Sequence, residues 1–267
     1  MPLPDIDLIR LPTNWLQGRM GFITGATGWI GSWICQALER SGLPFLMIRH
    51  TDEQNILNFR FPDTCDYIIH LAPGRVERVI ECADRFSCPV VFASSGAVYM
   101  TKPDEYAMAK QDAEREFVQS GVDVRIARIF TTAGAGIPMG RGLALAEFIC
   151  SAMSGQPLHV WSNGEAIRSY LYMSDLVTWL FKILAFGENK AYDIGSEDEI
   201  SIMELARMVR AFVKPHPKII VDAGPINERL PYYIPDTSEA QALGCMVTVS
   251  TEEAIEKTVR WYELQGM

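Results

Sequence analysis

Residues 20–31 have the sequence MGFITGATGWIG, and this stretch decides the fold. Its first residues, Met20–Thr24, form a short apolar run that is typical of a strand buried in a parallel sheet. Three glycines spaced three residues apart follow the run. Ser32–Arg40 then carries apolar residues on one face, and Gly42 stands where the end of a helix is expected. The stretch therefore predicts a strand, a glycine-rich turn and a helix in succession.

The alternation of strand and helix continues through the first half of the chain. Further strands are predicted at Leu43–Ile48, Asp66–Leu71, Pro89–Ala93 and Val122–Phe130, and helices at Val76–Phe86 and Tyr106–Ser120. Buried strands that alternate with helices predict an α/β fold with a parallel, doubly wound sheet.

The second half of the chain has a different pattern. Asn163-Gly164 predicts a hairpin that joins strands at Leu158–Ser162 and Ala166–Tyr172. Helices are predicted at Ala144–Ser154, at Ser174–Phe186, from the capping box Ser201/Glu204 to about Val213, and from the capping box Ser250/Glu253 to about Leu264.

Composition excludes several classes of protein. The chain has 267 residues, 48% of them hydrophobic and 21% charged, and a formal net charge of −9. This balance is typical of a globular protein with ample core, whereas a nucleic acid binder would usually present a basic surface. No apolar run approaches the ~18–20 residues that span a bilayer, and residues 1–10 do not resemble a secretory signal. We therefore expect no nucleic acid partner and no membrane partner.

Six cysteines are present, and none forms a CxxC pair or has a histidine at metal-ligand spacing. Most lie in apolar runs. We expect buried thiols of a reducing compartment, with no disulfide framework and no metal, which predicts a cytoplasmic protein.

The glycine loop predicts a dinucleotide site. Gly25 permits a tight turn, Gly28 lets a pyrophosphate approach the backbone, and Gly31 lets helix and strand pack closely. The phosphate then rests on the N-terminus of the helix. A purely structural turn is the alternative, but a preceding strand and a following helix favour the dinucleotide.

The end of the second strand bears on the choice of cofactor. An NAD site usually has an acidic residue there for the ribose 2′-hydroxyl, and this chain has Arg49 and His50. Because a guanidinium binds a 2′-phosphate, the sequence favours NADP(H) over NAD(H). Asp52 lies close enough to keep NAD(H) open, and Arg49 as a solvated strand end is the other interpretation.

Tyr106 and Lys110 (YAMAK) lie four residues apart on a predicted helix and share a face. A lysine ammonium stabilises a nearby phenolate, which lets a tyrosine exchange a proton with a carbinol or carbonyl oxygen. Ser95 follows the fourth strand at the ligand edge of the predicted sheet, where its hydroxyl can hold the same oxygen.

These motifs together resemble the extended short-chain dehydrogenase/reductases, in their nucleotide-sugar epimerase/dehydratase branch. The resemblance runs from Gly21 to Tyr262 and rests on TGATGWIG, DYIIHLAP, VVFASSGAVY and YAMAK, and on the later segments RIF, GEAIRSYLYMSDL, YDIGSEDEISIMELA and PDTSEAQALG. It implies a Rossmann-like domain at 19–131 with about 157–186 returning, an interlocked, smaller substrate-binding subdomain at 132–156 and 187–264, and an irregular leader at 1–18.

The resemblance also implies roles for residues. Tyr106 is the expected acid/base, Lys110 binds the nicotinamide ribose and tunes Tyr106, and Ser95 orients the reacting oxygen. The expected cofactor-binding residues are Gly25, Thr27, Gly28, Trp29, Ile30, Gly31, Arg49, His50, Leu71, Ala72, Tyr106 and Lys110. Ser95, Thr131, Arg168 and Arg229 are the expected substrate-binding residues, the two arginines serving the diphosphate. A homodimer that pairs the Tyr106–Ser120 helix with its copy is implied as well.

Some positions depart from the family pattern. Gly96 and Ala97 stand where family dehydratases carry acids, which argues against 4,6-dehydration, and Thr131 stands where many members have Asn. We therefore expect an oxidoreductase or epimerase of a nucleotide-sugar, with Arg49 favouring an NADPH-dependent ketoreductase. The alternatives are a nucleotide-sugar 4-epimerase with retained NAD, an NADPH reductase of a non-nucleotide ketone, and a non-catalytic nucleotide-binding protein.

Overall fold

The computed structural model describes residues 3–48, 62–74, 76–222 and 231–266. The strands in these ranges are β1 Gly21–Thr24, β2 Phe45–Ile48, β3 Tyr67–His70, β4 Val90–Ser95, β5 Val124–Ile129, β6 Thr132–Ala133, β7 Leu158–Val160, β8 Ile167–Arg168, β9 Leu171–Tyr172, β10 Ala191–Ile194, β11 Ile200–Ser201, β12 Ile219–Val221 and β13 Tyr232–Tyr233. The helices are α1 Thr13–Leu16, α2 Trp29–Arg40, α3 Glu77–Phe86, α4 Glu105–Ser120, α5 Ala144–Met153, α6 Met173–Phe186, α7 Ile202–Phe212, α8 Ser238–Gln241 and α9 Thr251–Leu264, with 3₁₀ turns at Ile6–Leu8 and Gly96–Tyr99.

The predicted parallel sheet is confirmed. Its strands lie in the order β10-β5-β4-β3-β1-β2 within the described part of the chain, and every neighbouring pair is parallel. The chain moves outward from β1 to β2 on one side and from β3 to β5 on the other, so the strand order reverses between β1 and β3. Ligands of open α/β sheets bind at such a reversal, at the carboxyl ends of the strands.

The core of the sheet is built from the apolar runs that predicted the strands. β1, β3 and β4 are buried along their whole length, as expected for strands covered on both faces. His70 lies within this core, as the apolar run predicted. Its ring stacks on Phe92 with centroids 5.6 Å apart, and Phe92 contacts Phe117 of α4 at 5.0 Å. These rings anchor α4 to the centre of the sheet.

The chain divides into two compact units. The first contains residues 1–129, 174–194 and 237–246, and the second contains 130–173, 195–236 and 247–267. The segment that returns to the first unit therefore begins at α6 and includes β10, whereas the sequence suggested about 157–186. The physical reason is that β10 joins the parallel sheet beside β5, and α8 packs on β10.

The predicted hairpin at Asn163-Gly164 is wrong. The turn chemistry is present, since Gly164 has a φ of 79° and Asn163 Oδ1 accepts a hydrogen bond from the Glu165 amide at 3.1 Å. However, β7 pairs in parallel with β12, while β8 pairs with β11 and β13. Distant segments of chain therefore outcompete the local pairing that the turn suggested.

The leader is more regular than expected. It contains a 3₁₀ turn and α1, in which Leu16 is fully buried. The Arg10 amide donates to Thr178 Oγ1 at 3.0 Å, and the Leu3 amide donates to Gln36 Oε1 at 2.8 Å. These contacts fasten the leader to the first unit.

Both predicted capping boxes cap helices. Ser201 and Glu204 exchange reciprocal hydrogen bonds at the start of α7, and Ser250 accepts from the Glu253 amide at the start of α9. All six cysteines are free thiols, as expected. Cys150 is exposed, which corrects the expectation of burial for that residue because it lies on the outer face of α5, whereas the other five are buried. Cys65 and Cys88 place their Sγ atoms 3.7 Å apart.

The burial of His70 makes stability depend on pH. Burial, with a smaller effect of the Lys110 charge, lowers the pKa of His70 from 6.5 to about 3. Between these values the unfolded chain binds a proton that the folded chain does not, so stability falls as the pH drops below 6.5. We expect His70 to contribute up to about 1.4 kcal/mol per pH unit to this fall.

Urea unfolding at pH 7 and pH 5 measures the effect. A His70→Asn variant should lose that part of the pH dependence, and a variant of the exposed His216, His216→Asn, should keep it. Equal pH dependence in His70→Asn and the unsubstituted chain would contradict the assignment.

Candidate active site

The glycine loop brings the ends of β1 and β3 together. Gly25 has a φ of 69°, and a Cβ atom there would lie 2.7 Å from the Ala72 amide nitrogen and 2.9 Å from the Leu71 carbonyl carbon. At Gly31 a Cβ would lie 2.3 Å from the Gly25 carbonyl oxygen and 2.7 Å from Ala26 Cα. Side chains at these two positions would push apart the strand ends and the start of α2.

The N-terminus of α2 forms a cradle with the chemistry of an anion site. Gly28 is the N-cap residue, and no side chain makes a cap hydrogen bond at this helix start. Thr27 and Gly28 are exposed, while Trp29 and Ile30 are half-buried in the first turn. Helix N-terminal amides and the helix dipole favour a phosphate at this place. The loop therefore fits the pyrophosphate of a dinucleotide.

The structure brings some of the predicted cofactor-binding residues together. The structure brings the glycine loop against Leu71 and Ala72, which are half-buried after β3. Arg49 and His50 lie outside the described residues, so the inferred preference for NADP(H) stays a prediction.

Lys110 is held against the end of β4. Its Nζ donates a hydrogen bond to the Ala93 carbonyl at 2.7 Å and lies 4.9 Å from the centre of the Phe92 ring. Burial lowers the pKa of Lys110 to about 8, and the carboxylate of Glu114 opposes this effect. Lys110 is therefore mainly a cation at neutral pH. The carbonyl that it contacts belongs to Ala93, which lies two residues before Ser95 on β4.

Tyr106 and Ser95 are positioned by two short caps. Asp104 accepts a hydrogen bond from the Ala107 amide at 2.9 Å, which starts α4 and places Tyr106 in its first turn, 55% exposed. Ser95 is 8% exposed at the end of β4, and its Oγ accepts from the Ala97 amide at 3.2 Å. Tyr106 and Lys110 share a face of α4, and Lys110 contacts the strand that carries Ser95.

The predicted substrate-binding residues Thr131 and Arg168 belong to the second unit. The carbonyl of Thr131 accepts from the Leu171 amide at 3.1 Å. Arg168 lies on β8, with its guanidinium 5.8 Å from the centre of the Tyr233 ring and its Nη1 donating to the Ile167 carbonyl at 2.8 Å. Arg229 lies outside the described residues.

A polar network that runs from the buried Glu114 to the exposed Tyr99 lies beside this site, and its members were not among the predicted site residues. Glu114 of α4 receives hydrogen bonds from Ser94 and Arg128, and Arg128 Nη1 donates to Tyr99 Oη at 2.8 Å. Tyr99 in turn donates to Asp193 Oδ1 at 2.9 Å. The spacing of Tyr106, Lys110 and Glu114, each four residues after the last, was the available signal, because such residues share one helix face.

The described residues offer neither a metal site nor a helix that could span a membrane. In residues 3–48, 62–74, 76–222 and 231–266, no three His, Cys, Asp or Glu side chains are arranged to hold a metal ion. Among the helices described above, none combines the length and apolar character needed to cross a membrane.

Residues 22–195 match the family described as "NAD dependent epimerase/dehydratase family". The chain belongs to this family. The match contains the glycine loop, Ser95, Tyr106 and Lys110, so the resemblance inferred from the motifs is confirmed. Membership agrees with the resemblance to the extended short-chain dehydrogenase/reductases and with the predicted fold.

Curated relatives match the chain over about half its length. UDP-glucuronic acid decarboxylase 1 of Danio rerio is 31% identical over 147 residues, which cover 54% of this chain and 34% of the relative. UDP-glucuronic acid decarboxylase 6 of Arabidopsis thaliana is 33% identical over 139 residues, covering 51% of this chain and 40% of the relative. The matched stretch is therefore well under half of these relatives.

Solved structures share the fold over nearly the whole chain. UDP-glucose 4-epimerase of Thermotoga maritima, with UDP-glucose, has a TM-score of 0.78 at 19% identity and covers 92% of this chain and 99% of its own. A UDP-glucuronic acid 4-epimerase mutant from Bacillus cereus, in complex with a fluorinated UDP-glucuronic acid and NAD, has a TM-score of 0.80 at 20% identity with the same coverages.

The close approach at Gly25 is testable with a matched glycine. A Gly25→Ala variant meets the backbone of Ala72, and we expect it to lose cofactor binding. Gly42 also has a positive φ, 63°, but a Cβ there meets nothing within 4 Å. Gly42→Ala should therefore lower the stability only by the strain of a left-handed backbone, about 1–2 kcal/mol, and the variant should keep cofactor binding.

Calorimetric titration with NADH and NADPH, together with thermal melting, measures both variants. Equal cofactor affinity in Gly25→Ala and Gly42→Ala would contradict the assignment of the cradle.

Proposed function

We propose that this chain catalyses hydride transfer at a hydroxyl-bearing carbon of a nucleotide-linked sugar, with Tyr106 as the acid/base. The observation that carries the proposal is the position of Lys110. This buried cation lies on the same face of α4 as Tyr106 and contacts the end of the strand that bears Ser95. A protein that only bound a nucleotide would have no use for a buried lysine placed in this way.

The chain's own residues divide the work. The nicotinamide cofactor supplies the hydride chemistry when bound. Tyr106 takes the proton of the sugar hydroxyl as the carbon is oxidised and returns it on reduction. Ser95 holds the reacting oxygen. The Lys110 ammonium stabilises the phenolate form of Tyr106, which accepts the proton during oxidation and forms again when Tyr106 donates it on reduction, and it carries donors for the ribose of the cofactor.

Epimerisation with retained NAD is the form of the reaction that we favour. The family is defined by NAD dependence, and an epimerase restores its cofactor in every turnover. The ketoreductase inferred from Arg49 is the second form, and it requires the cofactor to exchange. Arg168 and Arg229 are proposed as the diphosphate ligands in either case, with Thr131 beside the substrate.

Decarboxylation of a UDP-uronic acid is a second candidate function, favoured by the names of the curated relatives. Oxidation of a uronic acid at the carbon next to its carboxylate-bearing carbon gives a β-keto acid, which loses CO₂ readily. The oxidation step is therefore common to epimerase and decarboxylase, and Tyr106, Lys110 and Ser95 serve it equally.

A homodimer in the cytoplasm is proposed for the whole molecule. Met108 is 45% exposed and Val118 is 65% exposed on α4, so this helix offers apolar surface to a second copy. The free thiols agree with a reducing compartment.

A Tyr106→Phe variant tests the mechanism. We expect turnover of UDP-glucose or UDP-glucuronic acid to fall by about 10²-fold or more, because the proton transfer is lost. The variant should still bind the cofactor, and its melting temperature should stay unchanged, since Tyr106 is 55% exposed. Products separated by liquid chromatography and mass spectrometry distinguish epimer, pentose and reduced sugar. Unchanged turnover would refute the assigned role.

The cofactor is identified by mass spectrometry of the nucleotide released when the purified protein is denatured. Retained NAD supports the epimerase. If the protein is empty and NADPH raises its melting temperature more than NADH does, the reductase is supported. An Arg49→Ala substitution should then weaken the binding of NADPH by about 10- to 100-fold, because a charged hydrogen bond is lost. The binding of NADH is the control. Equal loss for both cofactors would contradict a 2′-phosphate contact.

A further inference from the structure

Glu114 is a carboxylate buried in the first unit, 8% exposed, and it is clamped on both oxygens. Arg128 forms a fork with it, with Nε 3.1 Å from Oε1 and Nη2 2.7 Å from Oε2. Ser94 Oγ also donates to Oε1, at 2.5 Å. A buried carboxylate loses its hydration, and these donors replace it.

The clamp joins the elements that carry the proposed catalytic residues. Glu114 lies on α4, four residues after Lys110. Ser94 precedes Ser95 on β4 and is the register partner of Arg128 on β5. Arg128 also bonds Tyr99, which closes the 3₁₀ turn between Ser95 and the loop to α4. One carboxylate therefore ties strand, turn and helix together.

We propose that Glu114 is a positioning residue of this site, whose carboxylate keeps Lys110 in its ammonium form and fixes α4 against the end of β4. The proposal deepens the proposed function and rests on it for the role of Lys110. Glu114 does not contact the substrate or cofactor in this scheme and acts only through Lys110 and the strand end.

The charges around Lys110 support this role. Burial lowers the pKa of Lys110 to about 8, and the Glu114 carboxylate raises it against that effect. From β3 the facing group is His70, whose pKa of about 3 leaves it neutral. From β4 the facing groups are the Ala93 carbonyl and the Phe92 ring, both of which favour a cation. On α4 the other neighbour is Tyr106, and the Arg128 charge on β5 is paired with Glu114.

The sign of the effect follows from these contacts. Removing the carboxylate withdraws the one formal negative charge named above and leaves the desolvation of Lys110 in place. Lys110 should then lose its proton at lower pH, so less of it is ammonium near neutrality. A purely structural role for the ion pair would lower the melting temperature without moving this titration.

The test measures the titration of Lys110 directly in the full chain. Trace acetic anhydride acetylates only the neutral amine, so the yield at Lys110, measured by mass spectrometry at a series of pH values, reports its titration midpoint. The midpoint should lie near pH 8 in the unsubstituted protein and at lower pH in Glu114→Gln. Glu114→Asp retains the carboxylate, so its midpoint should return most of the way to that of the unsubstituted protein.

Glu116→Gln is the matched control, because Glu116 is an exposed glutamate on the same helix. It removes the same charge and should leave the midpoint unchanged. If Glu114→Gln fails to fold, the double variant Glu114→Gln with Arg128→Met removes the pair together, and a downward shift is still expected. A midpoint in Glu114→Gln, or in the double variant that replaces it, equal to that of the unsubstituted protein overturns the proposal.

The labelling needs neither substrate nor cofactor, so its outcome is separate from that of the proposed function. A shifted midpoint in a chain that turns over no nucleotide-sugar would support the role of Glu114 and refute the activity. With a substrate in hand, the alkaline fall of kcat/KM should move with the Lys110 midpoint in Glu114→Gln and stay in place in Glu116→Gln.

Discussion

The close approach of the chain to itself at Gly25 is the constraint on which the first unit depends. The backbone after β1 passes so near the backbone after β3 that no side chain fits between them. This contact lies where the strand order reverses and sets the start of α2. The cradle for a phosphate thus follows from packing the start of a helix closely against two strand ends.

Local patterns predicted the parts of the fold that local forces decide. The apolar runs placed β1 to β5 of the main sheet within a few residues but not β10, and the serine–glutamate spacing at Ser201 and Ser250 placed two helix starts. The same reasoning failed at Asn163-Gly164, where the turn formed but the strands paired with distant segments. A short strand gains little from its nearest neighbour in sequence, so burial against remote strands decides its partner.

The candidate site likewise contains residues that sequence motifs could identify and residues that only tertiary packing brings together. Ser95, Tyr106 and Lys110 were visible because each lies in a motif with fixed spacing. The clamp of Glu114 by Ser94 and Arg128 was not, since its members are brought together only by the register of β4 with β5 and by the packing of α4. Charged residues are usually exposed, and sequence alone gives no sign that Glu114 is buried against Arg128.

The reactivity of the cysteines can report where the folded protein opens locally. Cys150 of the second unit is accessible, while the cysteines of the first unit are enclosed, namely Cys35, Cys65, Cys82, Cys88 and Cys245. A thiol reagent added to the native protein therefore modifies Cys150 first and reaches the others only through opening of the structure. The order in which the remaining thiols react would rank the local openings of the fold, without any introduced probe.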